Sequence, residues 1–332
     1  MRRNIKSQAI GRRAFLKEAA LGSAAIGAML DARLSAQQVK RDPVPNSSGT
    51  ELPKFRTFEN ACDCHHHIYD ARFPFTQPAA PMLAGARVMD YRLLQRRIGT
   101  TRNIVVTPAP YPAMYADNLV TLDAVGQFGT SARGVAVVSP AITDAELKKL
   151  NDGGIRGIRF SLARLDNAAG AMEDIEPLAK RVAQLGWHVQ FNMTADQIVQ
   201  AEDLLNRVPT TMVFDHMGHM PQPEGVSHPA FKIVRRLIDR NKTWVKLSVT
   251  YDSSKIGPPS YSDVNEVGKA YVKAAPERLV WGSNWPHPNE PTKPDDAVLI
   301  DLLALWAPRE GMRRRILSEN PETLYGFFKS TA

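Results

Sequence analysis

Imidazoles spaced two apart are the first residues in this chain whose arrangement points to chemistry. The stretch "CDCHHHIYD" (62–70) closes an apolar run and carries His65 and His67. Alternate side chains of a strand share a face, so this pair can grip one metal ion or one substrate oxygen together. Further on, "VFDHMGHM" (213–220) ends another run with Asp215 and His216, and "VKLSVTYDSS" (245–254) ends a third with Ser248, Tyr251 and Asp252. Arg159 closes an apolar run as well, with Ser161 and Arg164 just beyond it. A guanidinium in such a place clamps a carboxylate through two parallel hydrogen bonds. Asn192 ends "WHVQFN" (187–192), with His188 deeper on the same face, and "WGSNWPHP" (281–288) sets Asn284 among two tryptophans and two prolines. An amide is essentially non-basic, so Asn284 can orient a water or a substrate oxygen but cannot take its proton at neutral pH. Asp252 is the best candidate base, with one of the histidines as runner-up.

For these residues to meet, the runs that carry them must end in one place. Eight short apolar runs (61–68, 103–107, 134–139, 157–160, 187–192, 211–215, 244–249 and 279–282) alternate with helical patterns. In "TDAELKKLNDGG" (143–154), Thr143 is an N-cap and Gly153 follows the helix end. "HPAFKIVRRLIDRN" (228–241) places Phe231, Val234, Leu237 and Ile238 on one face. Strands each followed by a helix or crossover predict a single-domain (β/α)8 barrel over 59–330, with chemistry at the C-terminal strand ends. The competing arrangement, a doubly wound open sheet, wants a glycine-rich phosphate turn, and neither "GTSARG" nor "DGGIRG" has its spacing. Alternation in the first strand is expected to send Asp63, His65 and His67 to the barrel mouth. Cys62, Cys64 and His66 should then face the helix-packed exterior, the thiols as buried fillers projecting in parallel rather than as a disulfide.

Charge narrows the class of partner. The 332 residues carry a net +8, but residues 1–36 hold seven Lys/Arg against two Asp/Glu, which leaves 35 basic and 32 acidic residues in the body. No basic stripe with interleaved aromatics runs through that body, so nucleic acid is not an expected partner. The leader "GRRAFLKEAALGSAAIGAML" (11–30) puts Arg12 and Arg13 ahead of a modest apolar stretch, and "LSAQ" (34–37) offers cleavage after Ala36. It resembles a twin-arginine export signal and is short for a membrane span. A periplasmic protein without a membrane anchor after cleavage is expected. Residues 37–58, rich in Pro, Ser, Asn and charge, read as a linker or surface arm.

Together, the His-x-His first strand, "DHMG" in the sixth and "WGSNWPHP" in the eighth resemble the amidohydrolase superfamily, and within it the 2-pyrone-4,6-dicarboxylate lactonase group. "GWHV", "TDAEL", "GIRGIRF" and "ENPETLYGF" add to a likeness that spans residues 58–328. The resemblance implies a (β/α)8 barrel that hydrolyses lactones without a metal or other cofactor. It implies that His65, His67 and His216 bind or polarise the lactone carbonyl and that Arg159 and Arg164 hold substrate carboxylates. Asn192 and Tyr251, at their strand ends, are expected as further substrate contacts. Two departures matter. The group's general base is an Asp on the eighth strand, where this chain has Asn284. Around Asp252 the group has a third substrate-binding arginine, so a dicarboxylate would meet a carboxylate there, and a different small carbonyl-bearing lactone or cyclic ester is expected. The superfamily's binuclear metal sites take a carboxylate or modified lysine, a His and an Asp on strands four, five and eight. Arg159, Asn192 and Asn284 stand there, so no metal is expected, although His65, His67 and His216 leave a three-histidine site open. The leading reading is an exported, metal-independent lactone hydrolase. The alternatives are a binding protein on the same barrel and a metal-dependent decarboxylase or lyase.

Overall fold

A computed structural model describes residues 42–73, 83–108, 118–164 and 168–328, and the expected export leader lies outside them. Strands β1 (Cys62–His66), β2 (Arg102–Val106), β3 (Ala132–Ala136), β4 (Ile155–Ser161), β5 (His188–Asn192), β6 (Met212–Phe214), β7 (Thr243–Leu247) and β8 (Leu279–Trp281) form one sheet in sequence order. Every neighbouring pair is parallel. Parallel neighbours require crossovers, and helices supply them. They are α1 (Val88–Ile98), α2 (Leu119–Phe128), α3 (Asp144–Asp152), α4 (Ile175–Ala183), α5 (Ala195–Gln200), α6 (Glu202–Arg207), α7 (Pro229–Asp239), α8 (Thr250–Ser253) and α9 (Asn265–Ala274), with α10 (Asp296–Trp306) after β8. The expected (β/α)8 barrel is therefore present. Its seam closes through the segment that follows β8: the Asn284 amide donates to the His65 carbonyl at 2.7 Å and the His67 amide to that of Trp285 at 2.8 Å. Gly282 makes this approach possible, since a Cβ there would lie 2.6 Å from that of His65.

Local signals hold where the physics is local. Thr143 accepts the Glu146 amide at 3.2 Å while the Glu146 carboxylate takes the Thr143 amide at 2.7 Å, a reciprocal cap that starts α3. On α7 the buried stripe is Ala230, Ile233, Val234, Leu237 and Ile238, with Phe231 only partly covered at its margin.

The first strand corrects the expected faces. Cys62 and Cys64 point into the barrel, where they pack with Ile104, Val106, Val135, Val213 and Val280 above a plug made by Tyr325 and Phe327. Asp63 and His66 face outward: His66 stacks on Tyr91 of α1 at 3.6 Å, and the Tyr91 hydroxyl donates to Asp63 at 3.0 Å. Small thiols suit the crowded interior, while Asp63 finds donors outside it, among them the hydroxyl and amide of Ser283. The pairing with β2 slips between Asp63 and His66, a bulge that returns His65 to the interior side. His65 and His67 thus reach the barrel axis by a route that simple alternation does not describe.

Residues from Pro43 onward belong to the same compact unit as the barrel. Val44 is buried, the Trp285 indole donates to the Pro45 carbonyl at 2.7 Å, and Arg97 donates to the Glu51 carbonyl at 2.9 Å. Among the described residues no helix is long and apolar enough to cross a membrane.

Candidate active site

Below the C-terminal mouth, inward-facing residues of four strands build a charged floor. Arg159 Nε and Gln190 Nε2 each donate to Asp215 Oδ2 at 3.0 Å. Lys246 Nζ donates to Gln190 Oε1 at 2.6 Å and to His65 Nδ1 at 3.2 Å, and lies 3.6 Å from Asp215 Oδ1. All five are buried, Asp215 and Lys246 completely. Burial alone would raise the Asp215 carboxyl, but His65, Lys246 and Arg159 outweigh it and hold that group well below the usual carboxylate range. Burial lowers the Lys246 ammonium, and Asp215 opposes the shift. Two cations against one anion leave the floor with an excess positive charge where water does not screen it.

The histidines above are neutral. Burial holds His65 and His216 well below the ordinary imidazole range and His67 at about 3, with Lys246 adding to the effect on His65 and Arg159 to that on His67. Hydrogen-bond direction then assigns tautomers. A carbonyl only accepts, so His67 carries its proton on Nδ1, 2.8 Å from the Val106 oxygen, and its Nε2 is a lone pair. His65 Nε2 lies 3.3 Å from that lone pair, and His65 Nδ1 lies 3.2 Å from both Lys246 Nζ and Asp215 Oδ1. His216 Nδ1 meets the Ser248 hydroxyl at 2.9 Å; when the hydroxyl donates to it, Nε2–H is left as a donor toward the cavity.

A cavity of about 280 Å³ opens above this floor and is lined by eight of the nine expected site residues: His67, Arg159, Arg164, Asn192, His216, Tyr251, Asp252 and Asn284. His65 is the exception and sits one layer deeper. Among the described residues only the Nε of Arg159 is engaged in a side-chain bond, so its two terminal nitrogens are available to the cavity.

The rim carries two hydrogen-bonded chains. In one, His219 bridges Asp252 Oδ2 at 2.9 Å and Asn192 Oδ1 at 2.7 Å, and Asn192 donates to the Ser161 hydroxyl at 2.9 Å. The bond to His219 lowers the Asp252 carboxyl against the effect of burial. In the other, Asn284 Nδ2 donates to Tyr251 Oη at 2.8 Å, Tyr251 meets His287 Nδ1 at 3.0 Å, and His287 Nε2 meets Asp296 Oδ2 at 3.2 Å. The turns that aim these groups are strained: His216 (φ 54°), Val249 (φ 55°), Asn284 (φ 65°) and His287 (φ 54°) all occupy the left-handed region without being glycine.

Comparison with known proteins decides the family. Residues 62–327 match the amidohydrolase family model. The chain belongs to the amidohydrolase family. This amidohydrolase is 32% identical to a 2-pyrone-4,6-dicarboxylate hydrolase of Comamonas testosteroni, over 82% of this chain and 92% of that one. It is 31% identical to a D-galactarolactone isomerase of Agrobacterium fabrum, over 80% of this chain and 90% of that one. An apo crystal structure from Agrobacterium tumefaciens superposes with a TM-score of 0.76 at 30% identity, covering 86% of this chain and 99% of that one. These relatives support a lactonase-like hydrolase of the amidohydrolase superfamily that acts on a small molecule.

The family's fold also raises the question of a metal. His65, Asp215 and His216 are close enough to share one. The donor set does not fit it well, because Lys246 already stands between His65 Nδ1, Gln190 Oε1 and Asp215, and Arg159 holds the second Asp215 oxygen. Lys246, Gln190, His219 and His287 were not expected as site residues. Lys246 had a legible signal, a lysine in the strand "WVKLSV" (244–249), and His219 another, a second imidazole three residues after His216.

Proposed function

We propose that this protein opens or rearranges a lactone at its acyl carbon without a metal. One observation carries the reading: the Arg159 guanidinium and the His216 ring line one cavity above a buried floor with excess positive charge. When a nucleophile adds to a lactone carbonyl, negative charge gathers on its oxygen, and preorganised donors in a dry site stabilise that charge most. Arg164 beside Asp252 at the rim favours a substrate with one anionic or hydroxylated arm over a dicarboxylate. Hydrolysis is the first reading. Isomerisation is the second, favoured by Asn284: with no carboxylate there to activate water, a hydroxyl of the substrate can attack instead, and one relative is named a D-galactarolactone isomerase.

The test is a lactone panel that includes 2-pyrone-4,6-dicarboxylate and D-galactarolactone, followed by an indicator dye and by NMR. Acid release marks hydrolysis, and a changed ring without acid marks isomerisation. No change with any lactone would sink both and leave a binding protein. Activity should survive exhaustive chelation; loss that zinc restores would favour a metal-dependent lyase. We also propose twin-arginine export to the periplasm. Replacing Arg12 and Arg13 with Lys should keep the protein in the cytoplasm with its leader uncleaved, and normal processing would overturn that reading.

A further inference from the structure

We infer that Tyr251, His287 and Asp296 form a proton relay that serves the cavity as its acid–base group, with Tyr251 as the member that touches substrate. The inference rests on the lactone reading and supplies the proton path that Asn284 cannot. Its direction follows from one buried carboxylate. Asp296 opens α10, where the helix N-terminus favours negative charge, and a carboxylate only accepts. His287 must therefore present Nε2–H to it, and a neutral ring then has a lone pair on Nδ1. Tyr251 is the only partner of that lone pair among the described residues, so its hydroxyl donates to it. The phenol oxygen is left to accept, and the Asn284 amide donates to it from the other side. Every bond in the chain runs the same way, from Asn284 to Asp296. His287 and Asp296 are fully buried, while Tyr251 and Asn284 line the cavity.

The transfer balances without any other reactant. As the nucleophilic oxygen bonds to the acyl carbon, its proton passes to Tyr251 Oη while the tyrosine's own proton moves to His287 Nδ1. Asp296 holds the imidazolium that forms. When the ring C–O bond breaks, the proton returns along the same path to the leaving oxygen. Tyr251 remains a phenol throughout, so the upward push of burial on its hydroxyl is no obstacle. Two other carboxylates, Glu290 and Asp252, also act on the phenol, and Lys293 caps the His287 carbonyl, but Asp252 is committed to His219. An amide at position 284 suits this relay better than a carboxylate, which would draw the phenolic proton toward itself.

The relay is tested in the full chain with 2-pyrone-4,6-dicarboxylate and D-galactarolactone as probes. Tyr251→Phe, which removes only the hydroxyl, should lower kcat by about 100-fold or more and leave KM within about threefold. His287 and Asp296 are positioning residues. His287→Gln should lower kcat similarly and leave KM within about threefold, a split that loss of packing alone would not give. Independently of turnover, nitrogen NMR of wild type should find the His287 proton on Nε2, with the Nδ1 signal moving in Tyr251→Phe. A proton on Nδ1 would overturn the relay whether or not any lactone reacts. Unchanged kcat in Tyr251→Phe, in an enzyme that turns over, would overturn it as well. A wild type inert toward both lactones counts against the lactone reading, and the tautomer still decides the relay.

Discussion

The floor and the rim of the barrel mouth use the same kinds of side chain in opposite ways. On the floor, Asp215 is fully buried among Arg159, Lys246, Gln190 and His65, and its ionisation is held by three neighbours at once. At the rim, Asp252 is 46% exposed and bonded to one histidine. A charge surrounded by fixed partners does not change state during a reaction; it sets a field. At the rim, Tyr251 and Asp252 line the cavity and each opens a hydrogen-bonded chain along which a proton can move. The lesson is a division of labour: the floor stabilises developing negative charge, and the rim moves protons.

Acid should act on the buried histidines in and around the floor first, and with the largest effect. His65, His66, His67, His188 and His216 all have imidazoles lowered by burial, three of them to about 3. A base lowered on folding stays neutral in the native protein and charges in the unfolded chain. Stability is thus full above the unfolded value near 6.5 and falls as pH drops below it. Each ring contributes roughly 1.4 kcal/mol per pH unit, so five amount to about 10 kcal/mol by pH 5, comparable to the whole stability of a typical domain. Asp63 works the other way. Burial raises it to about 6, so protonation as pH falls through 6 returns part of the loss. Urea midpoints measured between about pH 7.5 and 5 should fall steeply, and His66→Gln, outside the cavity, should flatten the slope by one proton. A flat profile would mean that the buried rings are charged in the native state.

The next effect separates the floor's members. Asp215→Asn keeps the shape but leaves Arg159 and Lys246 as buried cations without an anion, and should cost about 3–5 kcal/mol in urea unfolding. Lys246→Met leaves the neutral Arg159–Asp215 pair and should cost less. If the order were reversed, Lys246 would be the member the cluster depends on, and the floor would not carry excess positive charge.

Depth also explains what could be read from the sequence. The barrel was legible because strand runs and helix stripes are local patterns, as Thr143 with Glu146 and the α7 stripe show. Eight of nine expected site residues reach the cavity because strand ends converge in this fold. The faces of β1 were not legible: a bulge is set by pairing with β2 and by Tyr91 of α1, neither of which alternation encodes. Partners were the least legible. Lys246 finds Asp215 from the next strand, and His287 finds Asp296 from a helix that starts nine residues on; only closure of the barrel decides such meetings.

The smallest effect on stability makes the sharpest comparison at the rim. Asp252 was the expected base, yet its bond to His219 lowers its carboxyl, and a carboxylate so stabilised takes protons less readily. As an acid lowered on folding, it contributes stability above the unfolded value near 3.9, lost as pH falls through its folded value. Being half exposed and paired once, that contribution should be under about 1 kcal/mol near neutral pH. Asp252→Asn should therefore fold almost as well as wild type. If Tyr251 carries the proton, this variant keeps its kcat within about tenfold, while KM changes for anionic lactones, because Arg164 loses a competing neighbour. If Asp252 is the base, kcat collapses and KM stays. Measuring both constants for Asp252→Asn beside Tyr251→Phe assigns the proton to one of the two rim chains, since each variant leaves the other chain intact.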